Sequence, residues 1–288
     1  MKSAGWLLAV LLACMPACAG AEVFFAPPPG EWAGRPLLEW TIFDMDEGDA
    51  MLLACGGESM LVDGGPNPFR EKLRDALDAR GLRSSMKYIF STHFHDDHID
   101  GIYRLFQYGF TCGEFLHAYS DRTAREDMRM SRTIREAERR GVPVRRAVHG
   151  DRLTLGGAEL EVLRCLEIQG DNARSLVLKV TFGEASILLC ADITNAVQRY
   201  FTEHLPAETL DADLLKGPHH GINRMPDEFL HAVSPRAVII TSQLRRMYRA
   251  TTYQFEKEHL PAYYSGDGTV YAVTDGTDWY IHQTPGEF

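Results

Sequence analysis

Short apolar runs separated by turn residues dominate the chain, and they predict an α/β fold. Helical spacing of Phe69, Leu73 and Leu77 predicts an amphipathic helix over 69–80, and a second helix is predicted over about 121–140. Strands flanked by helices in both halves predict one domain of two packed sheets with helices outside. The predicted strands are residues 37–45, 50–54, 60–62, 88–90, 152–155, 159–163, 175–182, 185–189, 270–273 and 279–282.

The first residues have the pattern of an export signal. Lys2 precedes an apolar run over 5–13, and the small residues Ala19-Gly20-Ala21 offer a cleavage site. The sequence therefore predicts a signal peptide over 1–21, a mature domain over 22–288, and a periplasmic or secreted protein. Cys14 follows small and apolar residues, so lipid anchoring at that cysteine stays open. No integral membrane domain is expected, because no later run is long and apolar enough to cross a bilayer.

Composition narrows the class of protein. Hydrophobic residues make up 45% of the 288 residues and charged residues 24%, the balance of a folded domain rather than a disordered or collagen-like chain. The formal net charge of -10 argues against a general polyanion-coating protein. After the signal four cysteines remain. Disulfides are compatible with export, but the apolar surroundings favour buried thiols for Cys55, Cys165 and Cys190.

A dense set of metal-binding residue types follows the predicted strand at 88–90. His93 and His95 are two residues apart in extended chain, so their imidazoles project to the same side and can bind one divalent cation. Asp97 and His98 come where the chain turns into a helix predicted to start near Ile99, which directs both towards a second cation. This spacing predicts a dinuclear metal site.

Two later segments supply the bridging carboxylate and the additional histidine that a dinuclear site needs. The apolar strand 185–189 delivers Asp192, a carboxylate that can bridge two cations. The segment before Pro218 delivers His219 and His220, of which one completes the second cation's ligands and the other faces the substrate. We take His219 as the ligand and His220 as the catalytic residue, although the sequence leaves the choice open.

These residues, in this order, resemble the metallo-β-lactamase superfamily, whose signature is the H-x-H-x-D-H run. Within it the sequence is most similar to the hydrolase domain of ComEC-type competence proteins. The resemblance implies a four-layer αβ/βα sandwich with the metal site at one edge, and supporting rather than metal-binding roles for Asp49 and Asp63. The similar segments are Glu47-Gly48-Asp49-Ala50, Leu61-Val62-Asp63-Gly64-Gly65, Asp171-Asn172, Ser175-Leu176-Val177-Leu178 and Pro218-His219-His220-Gly221.

The sequence also departs from the superfamily pattern. Ala191 stands where glycine normally precedes the bridging aspartate. Many members have a further histidine in the first metal site, where this chain and the competence relatives have Asp171-Asn172. We therefore count Asp171 and Asn172, with Asp97 and His220, among the predicted catalytic residues, and expect the first two to orient the scissile group or complete the first site.

The resemblance and the ligands together predict an exported hydrolase with two divalent metal ions, Zn²⁺ first and Mn²⁺ or Fe as alternatives. Phosphodiesters are the expected substrates, either small molecules or nucleic acid. Two alternatives stay open: hydrolysis of another extracytoplasmic ester, lactone or β-lactam bond, and a non-catalytic metal-binding module.

An arginine-rich segment bears on the nucleic-acid prediction. Residues 121–146 hold nine arginines against five acidic residues. Arg122, Arg125, Arg129, Arg132 and Arg139 share a predicted helix face that can contact phosphates, or that can form ion pairs with Glu126, Glu136 and Glu138 on a solvated surface.

Overall fold

A computed structural model describes residues 21–32, 34–118 and 127–285. The predicted signal peptide lies outside these ranges except for Ala21, and so does Cys14. Arg122 and Arg125 lie outside them too. Within the described ranges no helix has the length and apolar character needed to traverse a bilayer.

The described residues form strands and helices that alternate through both halves. The strands are β1 (Val23–Phe24), β2 (Leu38–Ile42), β3 (Ala50–Cys55), β4 (Glu58–Gly64), β5 (Met86–Ser91), β6 (Cys112–His117), β7 (Val144–Arg146), β8 (Arg152–Leu155), β9 (Ala158–Leu163), β10 (Val177–Phe182), β11 (Ala185–Leu189), β12 (Leu214–Lys216), β13 (Ala237–Ile240), β14 (Ala262–Tyr264), β15 (Thr269–Thr274) and β16 (Trp279–Thr284). The α-helices are α1 (Arg70–Ala79), α2 (Asp96–Gln107), α3 (Met128–Arg139), α4 (Asn195–His204), α5 (Ala207–Leu210), α6 (Asp227–Val233) and α7 (Arg249–Lys257).

The strands build two mixed sheets. The first has the order β1-β16-β15-β2-β3-β4-β5-β6-β7, and the second has the order β14-β13-β12-β11-β10-β9-β8. Strands β4 to β7 run parallel, as do β11 to β14. The remaining pairs are antiparallel apart from β1 with β16.

Three apolar cores separate four layers. The central core lies between the sheets and joins Trp40 and Val62 of the first to Leu178 and Ile187 of the second. A second core packs α1, α2 and α3 against the outer face of the first sheet. A third packs α4 to α7 against the second sheet. The predicted four-layer αβ/βα fold is confirmed.

Both sets of parallel strands end at one edge of the sandwich. Asp63 lies in β4, and the His93 to His98 segment follows β5. Asp192 follows β11, and His220 follows β12 in the other sheet. Open α/β sheets bind ligands outside the carboxyl ends of their parallel strands, so this edge is the candidate functional site.

Helix α2 lies unusually close to β4 because two glycines face each other. A Cβ on Gly101 would lie 1.8 Å from the carbonyl oxygen of Gly64, so no side chain fits there. The amide of Gly101 donates to the carbonyl of Gly65 at 3.0 Å. The glycine that ends the His-rich run therefore sets the distance between the helix that carries His98 and the strand that carries Asp63.

Helix α2 begins at Asp96, three residues before the predicted start near Ile99. Asp96 and Asp97 lie in its first turn, where a carboxylate interacts favourably with the helix dipole. Asp97 and His98 are therefore held by regular helix rather than by a loop. The four cysteines in the described ranges, Cys55, Cys112, Cys165 and Cys190, are free and buried.

Candidate metal centre

The first group of candidate ligands contains His93, His95 and Asp192. One ligand atom from each lies within 4.8 Å of the others. His93 is fully buried, and its Nε2 is 3.5 Å from Asp192 Oδ2. The two imidazole rings leave β5 on the same side, with centroids 4.7 Å apart. The extended spacing of the two histidines thus produces the predicted pair.

The second group contains Asp97, His98, Asp192 and His220. His220 Nε2 lies 3.0 Å from Asp97 Oδ2 and 3.3 Å from His98 Nε2. Asp192 Oδ1 is 3.3 Å from His98 Nε2 and 3.5 Å from His220 Nε2. Two imidazole nitrogens and two carboxylates from three segments of the chain therefore surround one small space.

Asp192 joins the two groups because its two oxygens face different neighbours. Oδ2 faces His93 at 3.5 Å, whereas Oδ1 faces His98 and His220. Asp192 is 1% exposed and lies three residues beyond the end of the apolar strand β11. This is the geometry that a bridging carboxylate requires.

Asp63 fixes the orientation of two histidines. It accepts hydrogen bonds from the Thr92 amide at 2.8 Å and from Thr92 Oγ1 at 2.6 Å, and its Oδ2 lies 2.8 Å from His98 Nδ1. A carboxylate only accepts, so His98 carries its proton on Nδ1 and presents the Nε2 lone pair. Thr92 Oγ1, having donated its proton, accepts from His93 Nδ1 at 3.1 Å, which leaves His93 Nε2 free as well. These contacts agree with the supporting role that the resemblance implied for Asp63.

The histidine pair after β12 lies on a strained turn. His219 and His220 have φ of 49° and 50°, in the left-handed region that L-residues seldom adopt. The turn directs His220 into the second group, where its Nδ1 lies 2.9 Å from Thr241 Oγ1. His219 is partly exposed, with Nε2 3.8 Å from Asp192 Oδ2. The geometry favours the reverse of the sequence assignment, with His220 as the ligand and His219 facing the substrate.

The donor set fits divalent cations. The Nε2 atoms of His98 and His220 lie 3.3 Å apart between carboxylates, an arrangement that a positive charge shared between them would stabilise. His93 Nε2 and Asp192 Oδ1 are buried and have no hydrogen-bond partner among the described residues. Burial lowers the pKa of His98 and of His220, but the surrounding carboxylates, Asp192 foremost, outweigh it and raise both values well above the usual range. The same carboxylates would stabilise a metal ion in place of those protons.

Lys216, the last residue of β12, lies beside the candidate ligands and is not predicted from the sequence. Its side chain is fully buried, and Nζ lies 2.6 Å from Asp49 Oδ2 and 3.0 Å from the carbonyl oxygen of Ala191. Asp49 Oδ1 in turn lies 3.4 Å from His220 Nδ1. A charged residue ending an apolar run was the available signal, since lysine is almost never fully buried unless paired.

Of the two predicted residues Asp171 and Asn172, only Asn172 lies at the site. Asn172 Nδ2 lies 3.2 Å from His219 Nε2, so this amide is at the site. Asp171 is exposed, and no described residue outside its own turn contacts its carboxylate. The 3-10 turn Asn172–Arg174 explains the difference, because consecutive residues of a tight turn point in different directions. We retain Asn172 as a candidate and find no contact that supports Asp171.

Most arginines of α3 that the structure describes are matched by carboxylates. Arg132 pairs with Asp100, and Arg129 lies 3.6 Å from Asp96. Arg139 and Arg140 both contact Glu136, at 2.6 and 3.4 Å. Within α3, therefore, the segment forms the ion-paired surface that the sequence left as one of its two interpretations.

The histidine assignment predicts different results for two neighbouring alanine substitutions. His220→Ala should reduce bound metal from about two ions to about one per chain, because the second group loses a ligand. His219→Ala should keep both ions and lower turnover roughly 100-fold, the scale for a group that transfers a proton. Metal analysis by mass spectrometry beside a steady-state assay measures both. Loss of metal in His219→Ala with retention in His220→Ala would restore the original assignment.

Ala191 occupies a conformation that suits glycine, since its φ is 45°. Left-handed backbone destabilises the folded state by about 1–2 kcal/mol for an alanine. Glycine avoids this strain, but it loses more conformational entropy on folding, which offsets about 0.5–1 kcal/mol of the gain. Ala191→Gly is therefore expected to raise the free energy of unfolding by about 0.5–1 kcal/mol, measured by urea denaturation. The control is Ala185→Gly in β11, which has ordinary strand backbone and should lower stability. A destabilised Ala191→Gly would contradict the strain argument.

Comparisons with known proteins agree with the observed fold. A family model described as "Metallo-beta-lactamase superfamily" matches residues 44–240. The metallo-beta-lactamase fold protein YhfI from Bacillus subtilis is similar in structure, with 12% identity and a TM-score of 0.51 over 78% of this chain and 95% of that chain. A mutant of the CmlA beta-hydroxylase is similar too, with 16% identity and a TM-score of 0.55 over 83% of this chain and 53% of that chain. At these identities the structural likeness concerns the fold alone. A comparison with curated protein sequences found no match.

Proposed function

The chain belongs to the metallo-beta-lactamase superfamily, and we propose that it is an exported, dinuclear metal-dependent hydrolase of phosphodiester bonds. Members of the superfamily are generally metal-dependent hydrolases. The observation that carries the proposal is Asp192, whose two carboxylate oxygens face two separate groups of histidines.

Six residues would hold the metal ions. His93, His95 and Asp192 would bind the first, while Asp97, His98, His220 and the shared Asp192 would bind the second. Bound divalent ions would supply Lewis-acid activation of water and of the scissile group. The imidazole-rich set favours Zn²⁺, and its carboxylates also suit Mn²⁺ or Fe.

The remaining polar groups at the site act on the substrate in this proposal. His219 is the imidazole left outside the two groups, and its Nε2 lies within 3.2 Å of Asn172 Nδ2. We assign His219 the proton transfer to the leaving group, a common role of histidine. Asn172 orients that ring, or the substrate oxygen next to it.

The phosphodiester substrate rests on the competence-type resemblance, chiefly Pro218-His219-His220-Gly221 and Asp171-Asn172. The paired arginines of α3 give little support to a long nucleic acid, because carboxylates already occupy Arg129 and Arg132. We therefore favour a small phosphodiester over a polymer. Hydrolysis of an ester, lactone or β-lactam remains the alternative outcome.

A substrate panel tests this proposal. The purified protein, with its metal content measured, is assayed on bis-p-nitrophenyl phosphate, on DNA and on nitrocefin, each with and without chelator. We expect chelator-sensitive hydrolysis of the first compound. Turnover of nitrocefin alone would move the function to β-lactams. A metal-loaded protein inert on the whole panel would favour a binding module, and full activity in the metal-free protein would overturn the metal mechanism.

Export is part of the proposal and has a separate test. The supporting features are Lys2, the apolar run over 5–13 and the small residues ending at Ala21. Mass spectrometry of the protein from a fractionated host should give a mature chain that begins at Glu22. A lipid-modified N-terminus at Cys14 would indicate anchoring instead, and an uncleaved chain in the cytoplasm would contradict export.

A further inference from the structure

Thr241 follows β13 directly and contacts the ring nitrogen of His220 that lies outside the second group of ligands. Its Oγ1 is 2.9 Å from His220 Nδ1, while Nε2 of the same ring faces Asp97 at 3.0 Å. Thr241 is 1% exposed and His220 is 2% exposed, so bulk water has little access to this contact. An imidazole that binds a cation through Nε2 carries its proton on Nδ1 and needs an acceptor there.

The surroundings of His220 Nδ1 favour a proton on that nitrogen. Asp49 Oδ1 lies 3.4 Å away, and a carboxylate only accepts, so it would repel a lone pair on Nδ1. That oxygen has no hydrogen-bond partner among the described residues. The hydroxyl of Thr241, at the shorter distance, is therefore the direct acceptor of the Nδ1 proton.

The backbone of Thr241 is fixed to the loop that precedes β3. The amide of Gly48 donates to the carbonyl oxygen of Thr241 at 3.2 Å, and the amide of Asp49 donates to the carbonyl oxygen of Asp97 at 3.0 Å. A Cβ on Gly48 would lie 2.7 Å from the same Asp97 oxygen, so a residue with a side chain would not fit. Two consecutive residues thus join Thr241 to a candidate ligand of the second group.

The ring of His220 needs support because its backbone is strained, with φ of 50° and ψ of 20°. Such a conformation persists only where the surrounding interactions over-determine it. Thr251 holds the backbone of this turn, because its Oγ1 donates to the carbonyl oxygen of Gly221 at 3.0 Å. One threonine therefore supports the main chain of the turn, and the other contacts the imidazole.

We propose that Thr241 is a positioning residue for the second metal position, whose hydroxyl accepts the Nδ1 proton of His220 and holds Nε2 towards the other ligands. The inference rests on the metal centre of the proposed function. Such outer partners fix the tautomer and orientation of a metal-binding histidine, and their removal typically lowers metal affinity about 10- to 100-fold. Among the described residues the Thr241 hydroxyl bonds to no other candidate ligand, so its loss should weaken the second ion alone.

A stepwise metal titration tests the proposal. The metal-free protein is titrated with Zn²⁺ against a chromophoric chelator, which gives a dissociation constant for each ion. Thr241→Val keeps the shape and removes the acceptor, so the constant of the second ion should rise about 10- to 100-fold while that of the first stays unchanged. Thr241→Ser restores the hydroxyl and should bind the second ion nearly as tightly as the wild type. An unchanged second constant in Thr241→Val, or equal weakening in both variants, would overturn the proposal.

Thr251→Val is the matched control, because it removes a buried hydroxyl that supports the same turn without contacting the imidazole. It should change the constant of the second ion less than Thr241→Val does. Equal weakening by the two valine variants would assign Thr241 to general support of the turn and would overturn the positioning role.

A measurement on the wild type needs no substitution at Thr241. Histidine-selective nitrogen NMR of the Zn²⁺-loaded protein, with His220 identified by comparison with His220→Ala, should place the ring proton on Nδ1. A proton on Nε2 would overturn the inference. These readouts report metal binding and proton position, so a failed substrate panel would overturn the proposed substrate and leave this inference standing. A protein that binds no second ion would overturn this inference together with the dinuclear centre.

Discussion

Asp192→Ala is expected to remove most hydrolytic activity, with a loss of at least about 1000-fold in kcat/KM. Removing one preorganised electrostatic group from an active site already costs about 100- to 1000-fold. Asp192 contacts both candidate ligand groups, through Oδ2 towards His93 and Oδ1 towards His98 and His220, so its loss weakens both metal positions together. Bound metal should fall from about two ions per chain to at most one.

The neighbouring carboxylates provide a matched control for that experiment. Asp96 begins α2 one residue before Asp97, but its side chain is 65% exposed and faces Arg129. Asp96→Ala should therefore keep both ions and nearly full activity, whereas Asp97→Ala should lose one ion. The melting temperature of Asp192→Ala should match that of chelator-treated wild type, which separates metal loss from misfolding. An Asp192→Ala protein that retains two ions would contradict the bridging role.

The first ligand segment was predictable because its information is local. An i, i+2 histidine pair after a strand projects to one side whatever the rest of the fold does, so His93 and His95 could be placed from spacing alone. Asp97 and His98 follow within one helical turn. The start of α2 at Asp96 also has a local sequence signal, because Asp96 and Asp97 are acidic residues of the kind that favour the first turn of a helix.

The choice between His219 and His220 was not predictable from the sequence. The directions of the two side chains depend on left-handed backbone at both residues. This is a strained conformation that the amino-acid types at these positions do not predict. Contacts between elements that are far apart in the sequence could not be predicted either, because they depend on how the elements pack together. The pairing of Arg132 with Asp100 joins α3 to α2, and the partner of Lys216 comes from a turn more than 160 residues earlier in the chain.

Lys216→Met is expected to destabilise the protein by about 3–5 kcal/mol, because it leaves a buried carboxylate without its counter-charge. Lys216 and Asp49 are both fully buried, 2.6 Å apart. Burial opposes both charges, but each partner stabilises the other: Lys216 lowers the pKa of Asp49 well below its usual range, and Asp49 raises the pKa of Lys216. A lowered carboxyl pKa stabilises above pH 4, and a raised amine pKa stabilises below pH 10. The loss measured by urea unfolding should therefore be equal at pH 6 and pH 8.

A double-mutant cycle distinguishes the pair from a merely buried lysine. In Asp49→Asn combined with Lys216→Met, neither charge is left alone, so stability should recover by at least about 1–2 kcal/mol relative to Lys216→Met. Lys179→Met is the control: Lys179 is 9% exposed on β10 and makes no ion pair with the described residues, so its replacement should cost about 1 kcal/mol or less. Additive effects of the two substitutions would mean that the contact contributes no coupling. Lys216 and Asp49 would then stabilise the protein through packing rather than through the attraction between their charges.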